Sequence, residues 1–130
     1  MSEQEILNIL TEKIIGCAIH VHKSLGPGLL ESVYEECLCC EMQLSGINFE
    51  RQKKLAIKYR NIALESGLRL DILVENRVIL ELKAIEDILP VHKAQLLTYL
   101  KLSDIKVGLL INFCVPVLKD GITRVVNHLN

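Results

Sequence analysis

Apolar and polar residues alternate most regularly between Gly67 and Lys83, where the pattern predicts two β-strands joined by a tight turn. Side chains on a strand point to opposite faces with a period of two. One face of this hairpin is predicted to be wholly apolar and consists of Leu68, Leu70, Ile72, Val74, Val78, Leu80 and Leu82. The other face carries four charges at one end and two apolar residues near the turn, namely Arg69, Asp71, Glu81, Lys83, Leu73 and Ile79.

The length of the turn decides whether the two carboxylates of the hairpin share a face. A three-residue loop, Glu75-Asn76-Arg77, places Val74 against Val78 and Asp71 directly opposite Glu81. The asparagine in its centre suits a left-handed turn conformation. A two-residue loop would place the carboxylates on opposite faces of the sheet, so the three-residue loop is the prediction on which a shared site depends.

Apolar residues recur at helical spacing on both sides of this hairpin region. Between the second and third helices, and again after the third, they follow the pattern of extended strands. Ser2 is predicted to cap the first helix. The predicted helices and strands are a helix ending near Leu25, a helix over 29–44, strands over 55–59 and 62–64, a helix over 91–101, a strand over 105–113 buried on both faces and a strand over 121–126. The predicted fold class is α/β, a central mixed sheet flanked by helices, in the order helix, helix, strand meander, helix, strand, strand. The 105–113 strand is expected to lie beside the second hairpin strand, with the third helix crossing between them.

The inward-facing helix residues follow from the same period. On the second helix the predicted inner stripe is Leu30, Val33, Tyr34, Cys37, Leu38 and Glu41. On the third helix Ala94 and Leu97 are predicted to pack inward, with Leu96 and Leu100 as further candidates.

Length and charge narrow the class of protein. The chain has 130 residues and is predicted to form one domain, 1–130, with a net charge of −1 that excludes a protein coating nucleic acid through its overall charge. A local basic patch remains, at Lys53, Lys54, Lys58 and Arg60. No apolar run reaches the roughly 18 residues of a membrane span, and the first residues are polar, so we expect a cytoplasmic protein with no membrane partner.

Five cysteines, an odd number, favour reduced thiols. Cys37, Cys39 and Cys40 lie within four residues, so a metal or iron–sulfur cluster is one interpretation. Their spacing matches no reliable zinc pattern, and buried thiols that behave as small hydrophobic residues are the better interpretation.

The four hairpin charges have two interpretations, because buried charges are costly unless they are paired or bind a metal. They form either a cross-strand ladder of ion pairs or a divalent-metal site beside a lysine. Two predicted helices carry further polar residues that could belong to such a site, and each of these residues also has a structural explanation. Glu31, at the start of the second helix, is favoured there by the helix dipole. His92, Gln95 and Tyr99 form a stripe on the third helix that is either a polar shoulder or a row of groups facing substrate.

These residues together resemble a known superfamily. Gly67-x-Arg69-x-Asp71, Glu81-x-Lys83 and Gln95-x-x-x-Tyr99 resemble the motifs of the PD-(D/E)xK nuclease superfamily, in its RecB-like branch. Gly28-Leu29-Leu30-Glu31-Ser32-Val33-Tyr34 is similar to the signature of the GxxExxY family. One departure is that no proline precedes Asp71.

The resemblance implies a restriction-endonuclease-like core and a role for each matching residue. It implies that Mg²⁺ or Mn²⁺ is bound by Asp71, Glu81, the backbone carbonyl of Leu82 and, directly or through water, Glu31. Lys83 would orient the attacking water or stabilise charge on the phosphate, and Gln95 would position Lys83 or the phosphate. The remaining residues implied to contact substrate are Tyr99, Arg69 and Tyr34.

The function implied by the resemblance is metal-dependent hydrolysis of phosphodiester bonds in nucleic acid, DNA rather than RNA. The alternative is a catalytically silent module that binds nucleic acid or a partner through the same fold. A third reading is an unrelated α/β protein with a structural ion-pair ladder. A homodimer or a partner protein is compatible with the first reading, since cutting two strands often uses two sites.

Overall fold

A computed structural model describes residues 1–129 and contains three α-helices, five strands and one 3-10 turn within that range. The elements in chain order are α1 Glu3–Leu25, α2 Glu31–Leu44, β1 Phe49–Tyr59, β2 Ile62–Val74, β3 Val78–Lys83, α3 Pro90–Ser103, β4 Val107–Asn112, the 3-10 turn Leu118–Gly121 and β5 Ile122–Val126. The α/β class and the order of elements are therefore confirmed.

The five strands form one mixed sheet in the order β1-β2-β3-β4-β5. β3 and β4 are parallel, and the other neighbouring pairs are antiparallel. α3 makes the crossover between the parallel pair, as predicted. Every residue of β4 is buried, which explains the continuous apolar run, because helices cover both faces of this strand.

Two buried clusters lie on opposite faces of the sheet. The first, the α1/α2 cluster, joins those helices to β3 and β4 and includes Ile14, Tyr34, Leu38, Met42, Leu80, Leu109 and Phe113. The second, the α3 cluster, includes Leu55, Leu70, Leu73, Ile79, Leu96, Tyr99, Leu100 and Leu110. α1 begins as predicted, because the Glu5 amide donates a 3.1 Å hydrogen bond to the hydroxyl of Ser2.

The turn between β2 and β3 has the predicted register. Val74 lies opposite Val78 and Ile72 lies opposite Leu80, so the loop is Glu75–Arg77. Its first two residues have φ of 51° and 55°, in the left-handed region that an asparagine tolerates. The paired ladder ends at Ile72 and Leu80, after only three residue pairs.

The prediction of one apolar hairpin face is wrong for Leu68 and Leu70. Both pack with the α3 cluster, whereas Ile72 and Val74 pack with the α1/α2 cluster. The alternation changes at Asp71, where pairing with β1 is also interrupted. The simple period of two holds only along an uninterrupted strand.

The inner faces of two helices also differ from the predicted stripes. On α2, Leu30 and Val33 are exposed, and the buried residues are Tyr34, Glu35, Leu38, Cys39 and Met42. On α3, Ala94 is exposed and the buried residues are Leu96, Tyr99 and Leu100. The buried face of α2 includes Glu35 and that of α3 includes Tyr99, two polar residues that the apolar period does not place there.

None of the helices in residues 1–129 combines the length and apolar character that crossing a bilayer requires. All five cysteines are free thiols, and two of them, Cys17 and Cys39, are buried.

Candidate active site

Two carboxylates occupy the point where β2 and β3 separate. The Leu82 amide donates a 2.8 Å hydrogen bond to Oδ2 of Asp71, and the Asp71 amide donates to Oε1 of Glu81 at 3.4 Å. Side chains therefore replace the ladder bonds that would follow the Ile72–Leu80 pair. We call this arrangement the carboxylate fork; the three-residue loop brings both side chains into it.

The carbonyl of Leu82 also faces the fork. The carbonyl of Lys83 accepts a 2.9 Å hydrogen bond from the Phe113 amide, so the backbone groups of Lys83 point toward β4. Backbone groups of successive residues in a strand point to alternate sides. The Leu82 amide and carbonyl consequently both point toward β2, where its amide meets Asp71.

The fork concentrates negative charge in a poorly solvated place. Burial, and after it the charge of Asp71, raises the pKa of Glu81 to about 8. Burial is also the main cause that raises the pKa of Asp71, and Glu35 adds to it. Lys83 acts in the opposite direction on both carboxyls. Without a cation, the two carboxyls therefore hold a proton between them near neutral pH.

The ion-pair ladder is not what the structure forms. Within residues 1–129, no ion pair shorter than 4 Å joins Asp71 or Glu81 to Arg69 or Lys83. The two carboxylates face each other instead of their nearest cations. Lys83 is half-buried, and its ammonium group is in electrostatic range of both carboxyls.

α2 begins at Glu31, whose carboxyl responds to charges of the fork region. The pKa of Glu31 is raised by partial burial and then by Asp71, while Lys83 lowers it. The side chain thus lies within electrostatic range of both. In the described part of the chain, however, no three His, Cys, Asp or Glu residues are grouped closely enough to hold a metal ion. Glu31 therefore does not join Asp71 and Glu81 in such a group.

The third helix carries one buried and one exposed residue of the predicted site. Tyr99 is buried, and its pKa is raised by burial, by Glu81 and by Asp71, so the phenol is within electrostatic range of both carboxyls. Gln95 lies one helical turn earlier and is exposed. His92 instead caps the helix, because its Nδ1 accepts a 2.9 Å hydrogen bond from the Leu89 amide.

Tyr34 does not lie where a substrate could contact it. Its side chain is fully buried and stacks on Phe113 with 4.4 Å between ring centroids. Its hydroxyl donates to the carbonyl of Gly26 at 2.5 Å and accepts from the Leu29 amide at 3.1 Å. Tyr34 therefore fastens the α1–α2 loop just before Glu31, and the predicted substrate contact is corrected to this structural role.

Arg69 is exposed and lies directly opposite Lys54 on β1. The strand rise of about 3.3 Å per residue places its backbone roughly 7 Å from that of Asp71. Arg69 is therefore available to a ligand that extends away from the fork along β2.

The sequence interpretation missed Glu35, a buried carboxylate one helical turn after Glu31. It accepts hydrogen bonds from Arg51 at 3.0 and 3.3 Å and from Nε2 of Gln52 at 2.8 Å. Gln52 has a φ of 48°, and it is unpaired opposite Asp71 although the pairs on both sides are in register. Glu35 thus anchors the irregularity of β1 that lets Asp71 leave the ladder. The i,i+4 spacing of the two glutamates was the one available signal.

The donor set fits a hard divalent cation. Mg²⁺ is typically held by one or two carboxylates and keeps several waters. Asp71 and Glu81 provide two such carboxylates, and the Leu82 carbonyl faces the same space. Burial and the charge of Asp71 raise the pKa of Glu81, and a bound cation would offset this unfavourable concentration of negative charge.

Comparison with known families agrees with this geometry. A family model described as the PD-(D/E)XK nuclease superfamily matches residues 8–125. The chain belongs to the PD-(D/E)XK nuclease superfamily. Searches among curated proteins and among solved structures found no significant match. Nucleases of this superfamily generally use divalent metals and act on nucleic acid, and the matched range contains the whole carboxylate fork.

Proposed function

We propose that this protein is a Mg²⁺- or Mn²⁺-dependent nuclease that hydrolyses phosphodiester bonds of nucleic acid, DNA in preference to RNA. The observation that carries the proposal is the fork of Asp71 and Glu81 with Lys83 beside it. The carboxylate of Glu81 is buried and that of Asp71 is partly buried. Two such carboxylates that face each other are unfavourable in a merely structural role, and they suit a divalent cation.

Each residue of the site has a distinct task in this proposal. Asp71, Glu81 and the Leu82 carbonyl would hold the ion, which when bound lowers the pKa of a water and offsets charge on the phosphate. Lys83 donates to a phosphate oxygen and stabilises the charge that builds there. Glu31 accepts a hydrogen bond from an ordered water at the rim of the fork.

The third-helix residues complete the proposed set. Gln95 donates to the phosphate or orients Lys83 from the exposed side of α3. The Tyr99 hydroxyl, beside the carboxylates, limits the positions that the lysine can adopt. Both roles depend on α3 packing against the sheet through Leu96 and Leu100, which are buried.

The finer classification is also part of the proposal. Gly28, Glu31 and Tyr34 support membership of the GxxExxY family, since Tyr34 fixes the loop that presents Glu31. The motifs on β2, β3 and α3 support the RecB-like branch. Five free thiols favour a reducing compartment, so we propose a cytoplasmic location.

The test is a cleavage assay on single- and double-stranded DNA and RNA, with and without Mg²⁺ or Mn²⁺. Asp71→Asn and Lys83→Ala should each reduce metal-dependent cleavage by at least 100-fold, in line with the loss of a charge-stabilising group. Asp104→Asn and Lys101→Ala are matched controls on the exposed end of α3 and should retain wild-type activity. Equal residual activity in the site variants and the controls would refute the assignment.

A catalytically silent binding module is the second candidate, since both carboxylates of the fork accept a hydrogen bond from a backbone amide and so have a partner without a metal. The two candidates differ in one measurement. A silent module binds nucleic acid equally well with Asp71→Asn and shows no metal-dependent cleavage of any substrate.

A further inference from the structure

β1 and β2 extend well beyond the sheet as a two-stranded arm, which we define as residues 53–69. β3 pairs with β2 only at residues 72–74, so the arm has no third strand. Its tip is the two-residue turn Arg60–Asn61. Both residues have a positive φ, 48° and 69°, as in the type I′ turns that commonly join hairpin strands. At about 3.3 Å per residue, the arm is roughly 23 Å long and begins beside Asp71.

The arm is strongly basic although the whole chain is not. Within residues 53–69 there are five basic residues, Lys53, Lys54, Lys58, Arg60 and Arg69, and one acidic residue, Glu65. The chain as a whole has 15 basic and 16 acidic residues, so the remainder is net negative. Such a segregation of charge favours a polyanionic partner at the arm.

One face of the arm carries three of its five basic side chains. Lys54 lies opposite Arg69, and the next pair, Leu55 and Leu68, packs into the α3 cluster. Lys54 and Arg69 therefore point away from α3, and Lys58 follows on the same face by alternation. All three basic side chains are exposed, and none forms an ion pair with another described residue.

This basic face includes a concave site. A cavity of about 390 Å³ lies between the two strands where the register shifts. Its polar lining consists of two basic residues, Lys54 and Arg69, one acidic residue, Glu65, and Ser66 with Gly67. Its size is in the range of ligand sites. Gly67 has a φ of 72°, which a residue with a side chain rarely adopts, so the bulge that opens the cavity depends on this glycine.

We propose that the arm is a phosphate-binding track, which holds the backbone of a nucleic acid strand that extends from the carboxylate fork. Lys54 and Arg69 bind one backbone phosphate at the root of the arm, and Lys58 binds a second one further out. The inference rests on the proposed nuclease function for the identity of the strand. At about 3.4 Å per nucleotide, the arm spans roughly seven nucleotides.

A second copy of the chain is the competing occupant. The opposite face of the arm exposes Tyr59, Ile62 and Leu64, with 61%, 58% and 47% of their surface accessible. Pairing of two arms would bring like charges together along β1, and edge lysines normally prevent such pairing. The charge of the arm therefore favours nucleic acid over a second arm.

The binding test uses the complete chain in EDTA, so that no cleavage occurs. Fluorescence anisotropy is measured with a labelled 20-nucleotide DNA strand and with the 20-base-pair duplex, at several salt concentrations. The combined variant Lys54→Ala, Lys58→Ala and Arg69→Ala should bind at least tenfold more weakly. Its salt slope should fall by roughly 1.4–1.8, because two phosphate contacts are lost and each contributes roughly 0.7–0.9.

The matched control removes three exposed lysines elsewhere, Lys13, Lys23 and Lys119. It loses the same formal charge and should bind nearly as the wild type does. Equal weakening in both triple variants would overturn the proposal, because the effect would then be one of net charge alone. A dimer that dissociates in the arm variant without loss of DNA affinity would also overturn it, in favour of a second copy.

A cleavage test separates this proposal from the proposed function. With Mn²⁺, kcat/KM of the arm variant should fall at least tenfold more for the 20-mer than for bis(p-nitrophenyl) phosphate, which is too small to reach the arm. An equal fall in kcat/KM for both substrates would overturn the proposed phosphate-binding track. If the wild type cleaves neither substrate, the nuclease function fails, and the anisotropy comparison still decides the binding role of the arm.

Discussion

The carboxylate fork should make the metal-free protein less stable as the pH rises. Burial and Asp71 raise the pKa of Glu81 from 4.5 to about 8 in the folded protein. Between these values the folded state holds a proton that the unfolded state has released. The free energy of unfolding therefore decreases with pH, by at most about 1.4 kcal/mol per pH unit for one shared proton.

The magnitude follows from the width of that window. A window of about 3.5 pH units gives an upper limit of roughly 5 kcal/mol, and entry of water into the fork lowers the expected loss to about 2–3 kcal/mol. For a chain of this length, about 1 kcal/mol corresponds to roughly 4 °C in Tm. We expect Tm in EDTA to fall by about 10 °C between pH 5 and pH 8, by the same conversion.

The substitution Glu81→Gln isolates the cause. The amide keeps the size of the side chain and an oxygen for the Asp71 amide, and it has no charge to lose. In EDTA at pH 8 the variant should be more stable than the wild type, with a nearly flat dependence on pH. Glu86→Gln, at an exposed position just beyond β3, is the matched control and should follow the wild-type curve.

Thermal unfolding by circular dichroism from pH 5 to pH 8 measures this effect, with and without Mn²⁺. Mn²⁺ should stabilise the wild type more at pH 8 than at pH 6, because binding must displace the shared proton. A wild-type Tm in EDTA that does not change over this range, or a Glu81→Gln variant that is less stable at pH 8, would refute the reasoning.

Substitutions at three further positions, Glu35, Tyr34 and Gly108, test the elements that support the fork. Glu35→Ala should lower the free energy of unfolding in urea by about 2–3 kcal/mol and weaken Mn²⁺ binding in calorimetry. Glu35→Gln should retain most of the metal affinity, because it keeps an acceptor for Gln52. Equal Mn²⁺ affinity in the wild type and both variants would contradict this. Tyr34→Phe should cost about 1–2 kcal/mol, since two partly buried backbone groups lose their partner, and should leave KM unchanged. A raised KM at unchanged stability would restore the substrate contact. Gly108→Ala should cost about 1–3 kcal/mol in thermal unfolding, because the new Cβ would lie 2.9 Å from the side chain of Leu96; an unchanged Tm would show that this side chain can move away.

The hairpin was predictable from sequence because its information is local. The period of two defines both strands, and an odd loop determines which residues face each other. The register of Val74 with Val78 follows from Glu75–Arg77 alone. The change of face at Asp71 was not predictable in this way, since it depends on Gln52, a residue of another strand.

The position of Glu35 could not be predicted for a related reason. A charged residue in the first turns of a helix normally faces solvent, and Glu35 instead lies buried against Arg51 and Gln52, sixteen and seventeen residues later. No hydrophobic period records such a contact. Similarly, the Glu31–Tyr34 motif associates two residues without showing that one is exposed near the fork and the other is buried beneath the loop.

The irregular pairing on both sides of Asp71 has one physical explanation. On the β1 side, Gln52 leaves the ladder and is held by Glu35; on the β3 side, the Leu82 amide bonds to the Asp71 carboxylate and not to a backbone carbonyl. A strand in the middle of a sheet normally has both edges paired. Asp71 lacks regular pairing on both edges of β2, and its carboxylate is directed toward Glu81 instead. A structural ladder of ion pairs would need neither interruption, because side chains on the faces of a sheet can pair without opening it. A cation-binding site needs both, since the carboxylates and the Leu82 carbonyl must converge in the plane where the strands separate.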